Sequence, residues 1–303
     1  MKIKKAIIAV ALIAPSIVLA QKVDMKLNLE EGKKYTQKTM LESVTKQTMQ
    51  GQTMESNNST TANIHLKVIE DNGSTDTYET WYGSIDLEQS AMGRSMSATS
   101  DTTSLETVDP LSKIFAGMSD KKFKAKITEK GMVEEVMGLE EIVKNAASGM
   151  PGGPAAIEQI SASMGDNGFA KSLELTTDIF PDKKIKVGDS WTKEQFTSTG
   201  LPIISKATYK LTSVENGTAT IELKAQLETD PNNASTQMQG IDATLFYEGT
   251  REGTFMVDVE SGWVTSGNIE DDIVGSMTIA PNEQAPDGMT IPLESKNKIT
   301  ISN

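Results

Sequence analysis

Few side chains in this chain have a type and spacing that suit catalysis. Among 303 residues there is one histidine, His65, and no cysteine. A Ser-His-Asp triad needs an imidazole beside a nucleophile, but His65 lies within an alternating strand-like run and no Gly-x-Ser-x-Gly motif occurs. Zinc sites draw on several His or Cys ligands. We therefore predict that the protein is not an enzyme and has no cofactor and no metal site.

Two patterns could still bind metal ions. Thioethers are soft ligands for Cu(I), and five methionines stand in polar surroundings: Met40, Met49, Met54, Met92 and Met96. Their flexible side chains equally suit an apolar surface for a partner or a lipid. The oxygen-rich stretches 230–233 and 270–272 lack the regular ligand spacing of an EF-hand, so we interpret them as solvated charge.

The first twenty residues have the composition of an export signal. A basic start precedes an apolar run from Ala6 to Leu19, and Val18-Leu19-Ala20 offers small residues for cleavage. We expect cleavage after Ala20, and Gln21 takes the place where a lipid-anchored protein would need Cys. Because no apolar run reaches the ~20 residues of a spanning helix, we predict a periplasmic or secreted protein without a membrane span in its mature chain.

The charge balance excludes two classes of partner. The chain has 42 acidic and 29 basic residues, and without residues 1–20 its net charge is −16. A chain this acidic repels nucleic acid, and it has no polybasic cluster for an anionic membrane. We predict no nucleic-acid partner and no direct adsorption to such a membrane.

Alternation of apolar and polar residues dominates the rest of the chain and predicts strands. Asn72-Gly73 and Asn216-Gly217 separate strand-like runs and are strong hairpin signals, because both residues tolerate positive φ. Lys130-Gly131 and Ser261-Gly262 predict two further hairpins. The expected fold is mainly β, a curved antiparallel sheet or half-open barrel.

Three correspondences in the same order suggest an internal duplication. Glu31–Thr36 resembles Val187–Thr192, Ile64–Gly73 resembles Tyr209–Gly217, and Phe123–Val133 resembles Phe255–Val264. We predict two related β halves, 21–137 and 179–303, that form one pseudo-symmetric domain.

A helical insert of two or three short helices, 138–178, is predicted between the halves. Residues from Leu139 to Ala147 place apolar side chains at helical spacing, and a second helix is expected from Pro154. Packing against the sheet explains both stripes; alternatively, the helices cover the sheet and line an apolar ligand cavity. The predicted lining residues are Ile142, Ala146, Ile157, Ile160 and Met164.

Two polar segments, 45–61 and 90–107, consist mostly of Thr, Gln, Ser, Asn and Met. They are interpreted as long exposed strands or mobile loops, and loops on a rigid scaffold often carry binding sites. Asp230–Gly240 has the same character in the second half.

The order of these features resembles a family of secreted Gram-negative envelope proteins of unknown function. The shared features are Gly32 with Tyr35, the hairpin at Asn72-Gly73, the stretch Phe123–Val133, the helical insert, and Gly188-Asp189-Ser190-Trp191. The resemblance implies an envelope location but carries over no site residues. The architecture also resembles, more distantly, the half-open barrels of periplasmic lipoprotein carriers, which hold acyl chains.

These observations predict an exported, non-enzymatic binding or carrier protein for an apolar ligand such as a lipid. The alternative is an envelope or extracellular interaction module that binds protein or glycan through the polar segments. An envelope protein partner is possible under either hypothesis.

Overall fold

A computed structural model describes residues 22–49, 51–150, 153–196, 202–238, 241–282 and 285–303. The predicted signal, 1–20, lies outside the described residues. The described residues form four helices: α1 (Pro110–Met118), α2 (Leu139–Ala146), α3 (Gly153–Met164) and α4 (Asp166–Thr177). The strands are β1 (Lys34–Met49), β2 (Gln52–Glu70), β3 (Thr75–Ala91), β4 (Arg94–Thr99), β5 (Phe123–Thr128), β6 (Val133–Met137), β7 (Ser190–Phe196), β8 (Ile203–Glu215), β9 (Thr218–Thr229), β10 (Ser235–Met238), β11 (Ile241–Asp258), β12 (Val264–Ile279) and β13 (Met289–Ser302).

All thirteen strands belong to one antiparallel sheet. Its order is β6-β5-β3-β2-β1-β13-β12-β11-β9-β8-β7, with β4 paired to β3 and β10 to β11. The outermost strands, β6 and β7, do not pair with each other, so the sheet is not closed. The prediction of a mainly β, unclosed antiparallel sheet is confirmed.

Glycine turns create the meander, as the sequence predicts. Gly73, Gly131, Gly217 and Gly262 all have positive φ at the tips of hairpins. The turns before β1 and β7 also have equivalent bonds, since Gly32 N–H donates to Val68 O at 3.1 Å and Gly188 N–H donates to Leu211 O at 2.8 Å. A common origin of the halves stays a prediction.

In the polar segment 45–61 the described residues outside the β1–β2 turn are strand, whereas in the segment 90–107 only 90–91 and 94–99 are strand. Residues on both sides of the β1–β2 turn pair in continuous register, from Lys34 with Lys67 to Met49 with Gln52. β3 and β4 pair from Asp86 with Thr99 to Ala91 with Arg94. Polar side chains on both faces hide the alternation in the sequence, whereas backbone pairing needs no apolar face.

The N-terminal segment, residues 22–33, crosses the end of the sheet that carries the turns at Gly131 and Gly262. Val23 and Ile185 exchange two backbone hydrogen bonds, and Leu27 N–H donates to Glu129 O at 2.8 Å. Met25, Leu27 and Leu29 are buried in the main core. This N-terminal segment therefore closes one end of the curved sheet.

Among the described residues, no helix combines the length and the apolar composition that crossing a membrane requires.

Candidate ligand-binding site

The four helices form a layer over the inner face of the sheet, defined here as the face that carries the main core. α1 packs on β3 and β4, α4 packs on β6 and β7, and α2 and α3 lie between them. The insert therefore bridges the two open edges of the sheet.

The last turn of α4 joins those two edges through polar contacts. On the β6 side, Val133 N–H donates to Glu174 Oε1 at 2.9 Å and Thr177 Oγ1 donates to Gly131 O at 2.6 Å. On the β7 side, Gln195 Nε2 donates to Asp178 O at 2.7 Å and Lys193 forms an ion pair with Asp178. We call this contact the seam.

Both carboxyl groups at the seam have perturbed acidities. Burial raises the pKa of Glu174 above its ordinary value, although the bond from Val133 N–H opposes the shift. Burial also raises the pKa of Asp178, and the ion pair with Lys193 only partly offsets it. Burial therefore works against ionisation of both carboxyl groups, whereas Lys193 stabilises the ionised form of Asp178.

A row of polar side chains crosses the inner face. Directly paired residues of antiparallel strands point to the same face, and the register joins Asn58 to Ser43, Ser43 to Asn297, Asn297 to Asp271, and Asp271 to Arg251. Ser43 lies on the same side of β1 as the buried Tyr35 and Gln37, so the row faces inward. We call these five residues the polar row.

Part of the polar row lacks hydrogen-bond partners. Asn58 Oδ1 and Asn297 Nδ2 are both shielded from solvent and unpaired. Asn297 Oδ1, by contrast, accepts from Ser295 Oγ at 3.2 Å, and Ser295 Oγ also lies 3.3 Å from Thr45 Oγ1. Gln37 Nε2 and Ser205 Oγ are further unpaired atoms on the inner face. Such groups cost free energy unless something satisfies them.

Apolar side chains lie on both sides of the polar row. The main core lies toward the N-terminal segment and contains Ile269, two residues before Asp271, and Ile299, two residues after Asn297. Beyond the row is a second cluster, made of Ile203, Leu227, Tyr247, Ile273 and Leu293. The inner face is thus apolar, then polar, then apolar again along the strands.

The five predicted lining residues are all half-buried and pack against the main core: Ile142, Ala146, Ile157, Ile160 and Met164. They differ in setting. α2 carries fully buried neighbours, Leu139 and Val143, whereas none of the described side chains of α3 is fully buried. Whether they contact a ligand stays a prediction.

Five of the surface pockets among the described residues have volumes of about 390 to 930 Å³, and none of these five is lined by the predicted residues of α2 and α3. One of about 450 Å³ opens at the seam, between Met132, Asp178 and Trp191. Another, of about 930 Å³, lies at the end covered by the N-terminal segment, near Tyr35 and Trp263.

The other candidate groups serve structural contacts. His65 Nδ1 lies 2.9 Å from Thr36 Oγ1, and its ring packs 5.1 Å from Trp81. Asp230 accepts bonds from Asn232 N–H and the Asn233 amide, which shapes a turn. Of the stretch 270–272, Asp271 points inward and its neighbours point outward. No group of three or more His, Cys, Asp or Glu in the described part of the chain could hold a metal ion.

The polar row could not be predicted from apolar alternation, because its inward positions carry polar side chains. The signal available was Asn or Ser at inward spacing from known apolar positions, such as Asn297 between Leu293 and Ile301. The Arg251–Asp271 contact could not be found without the register of β11 and β12.

The sequence profile of a family of unknown function, DUF6263, matches residues 74–264. No curated protein sequence matches the chain.

Solved structures give only weak likenesses. A lipovitellin structure, described by its lipid–protein interactions, is 10% identical with a TM-score of 0.48; the match covers 90% of this chain and 25% of lipovitellin. A DUF1329 family protein from Desulfovibrio piger is 10% identical with a TM-score of 0.15, over 88% and 84% of the two chains. The β domain of the Bordetella autotransporter BrkA is 7% identical with a TM-score of 0.21, over 88% and 99%. Likenesses at this level do not bear on function.

Proposed function

Because the chain belongs to DUF6263, a family of unknown function, we propose its role from its geometry: it is an exported, non-enzymatic protein that binds an apolar or amphipathic molecule such as a lipid. The ligand lies between the inner face of the sheet and the helical layer. Ile142, Ala146, Ile157, Ile160 and Met164 contact it from the helices.

The observation that supports this proposal is the division of the inner face into two apolar zones by the polar row. A core that served stability alone would gain from apolar residues at these positions, because buried polar groups without partners are costly. An amphipathic ligand gives both kinds of surface a partner. Export agrees with the composition of residues 1–20.

α3 is the helix that we expect to move when a ligand binds. It packs on α2 and α4, and its described apolar side chains are only half-buried. α4, by contrast, buries Phe169 and Leu173 and holds the seam. Entry beneath α3 would disturb the fewest buried contacts.

Titration of lipid-stripped protein with a panel of fluorescent lipids tests the proposal, together with native mass spectrometry of protein purified from the envelope. We expect saturable binding that Ile273→Thr weakens about tenfold, the equivalent of ~1.4 kcal/mol. Val274→Thr is the matched control, because Val274 is the next residue and is exposed on the outer face. Protein that takes up no lipid and carries no small molecule would refute the proposal.

A second candidate is an interaction module, favoured by exposed apolar side chains on the polar segments. Met92 at the β3–β4 turn is 76% exposed and Met96 is 49% exposed. Deletion of the β3–β4 turn separates the two functions, since a lipid binder keeps its ligand and an interaction module loses its partner.

A further inference from the structure

We infer that the polar row selects ligands whose polar group is uncharged, such as the hydroxyl or ester of a neutral glycerolipid. This inference rests on the proposed function and specifies its ligand class.

The charges of the row cancel. Arg251 donates to both carboxylate oxygens of Asp271, through Nε at 2.7 Å and Nη2 at 2.8 Å. At their described inward positions, the strands that carry the row (β1, β2, β11, β12 and β13) have no Lys or Arg other than Arg251. Lys193 on β7 also points inward, but it pairs with Asp178 at the seam. An ionised carboxylate or phosphate placed on the row would therefore lie near Asp271 without a countercharge, and an unpaired buried charge is expensive.

The unpaired groups are amides, which recognise neutral donors and acceptors. Asn58 and Asn297 lie on either side of Ser43, so two strand spacings of ~4.8 Å separate their backbones, about 10 Å in all. Asn297 is almost fully buried and its Nδ2 is a free donor, while Asn58 Oδ1 is a free acceptor. Together they suit a group with both an oxygen acceptor and a hydroxyl donor.

The row is more exposed at its β1–β2 end than at its β11–β12 end. Ser43, Thr45 and Asn58 are half-buried, whereas Asn297, Asp271 and Arg251 are buried. The second apolar cluster begins two residues beyond the polar Ser295, at Leu293. A polar group that enters over β1 and β2 can thus bind at Asn58 and Asn297 while its acyl chain lies along Leu293 and Ile273.

Binding of three probes to the lipid-stripped full chain tests the inference: 1-monopalmitoylglycerol, ionised palmitate and the uncharged hydrocarbon diphenylhexatriene. We expect monopalmitoylglycerol to bind at least tenfold more tightly than palmitate. Asn58→Leu and Asn297→Leu should each weaken monopalmitoylglycerol about tenfold, the equivalent of one buried hydrogen bond of ~1.4 kcal/mol, and leave diphenylhexatriene unchanged. Asn57→Leu is the matched control, because Asn57 is exposed and points to the opposite face.

Thermal unfolding shows whether each variant is folded, and Asn297→Ser replaces Asn297→Leu if the larger side chain prevents folding. Equal affinity for palmitate and monopalmitoylglycerol would overturn the inference, and so would unchanged monopalmitoylglycerol binding in both Asn58→Leu and Asn297→Leu. In either case, binding of diphenylhexatriene would leave the proposed function intact. Failure of all three probes to bind overturns both.

Discussion

Arg251 and Asp271 face each other across β11 and β12 and form two hydrogen bonds, with side chains that are 2% and 0% exposed. Glycines surround the pair in a symmetrical pattern: Phe255 is opposite Gly267 and Tyr247 is opposite Gly275. A Cβ on Gly275 would lie 2.4 Å from the Tyr247 ring, so the rings occupy the space that the glycines leave. Along the two strands, the ion pair therefore lies between the Phe255–Gly267 pair and the Tyr247–Gly275 pair.

Removing one partner of this ion pair should destabilise the protein strongly. We expect Arg251→Met and Asp271→Leu each to lower the free energy of unfolding by about 3–5 kcal/mol, because each leaves a buried charge alone. The double variant should lose much less than the sum of the two. Urea unfolding of all three proteins gives the coupling energy.

The adjacent outward pair is the control for that cycle. Lys296 and Asp272 lie 3.3 Å apart with side chains 75% and 58% exposed. Lys296→Met should change stability by less than about 0.5 kcal/mol. If Arg251→Met and Asp271→Leu each lowered the free energy of unfolding by as little as Lys296→Met, the Arg251–Asp271 pair would have to be hydrated.

The turn at Gly131 should tolerate no side chain. Gly131 has a φ of 88°, and a Cβ there would lie 1.7 Å from Thr177 O, at the seam. Gly131→Ala should cost on the order of 3 kcal/mol or more and speed hydrogen exchange in the last turn of α4.

Gly73→Ala separates the cost of a side chain at positive φ from the cost of the clash with Thr177 O. Gly73 has a similar φ of 83° but open space around its Cβ direction. It should cost only the ~1–2 kcal/mol of left-handed backbone. Equal losses for the two variants would mean that the seam is not tightly packed.

Glu174 should make stability fall as pH rises. Its pKa is raised by burial above the ordinary 4.5, so the folded state binds the proton more tightly than the unfolded state does. The stabilisation is complete below pH 4.5 and is lost as the pH rises through the folded pKa. Glu174→Gln should remove this component from the pH dependence of urea unfolding, and the exposed Glu141→Gln should not.

His65 should act in the opposite sense. Burial is the main cause that lowers the pKa of His65 below the ordinary 6.5, and the positive charge of Lys34 lowers it further. The neutral ring therefore contributes stability above pH 6.5 that is lost as the pH falls through the folded pKa. As the chain has one histidine, NMR titration of its ring gives the folded pKa directly. A midpoint at or above 6.5 would contradict this assignment.

Local signals were enough to predict much of the fold. Asn72-Gly73 and Asn216-Gly217 marked hairpins because glycine accepts positive φ, and the stripe from Leu139 marked α2. α1 was missed although its signal is local: the Asp109 side chain accepts from Leu111 N–H and Ser112 N–H, and Pro110 begins the helix.

The candidate site depends on non-local pairing and could not be predicted in the same way. Asn58, Asn297 and Arg251 come together only through the register of five strands. Polar residues at inward positions also look like surface residues in a sequence, because their burial depends on parts of the fold that are distant in the chain.

The strand that joins the two halves is the last one to be synthesised. β13 lies between β1 and β12, and Thr45 on β1 contacts Ser295 across 250 residues of chain. Contacts of such long range form slowly. A growing chain therefore cannot complete this sheet before the ribosome has finished β13.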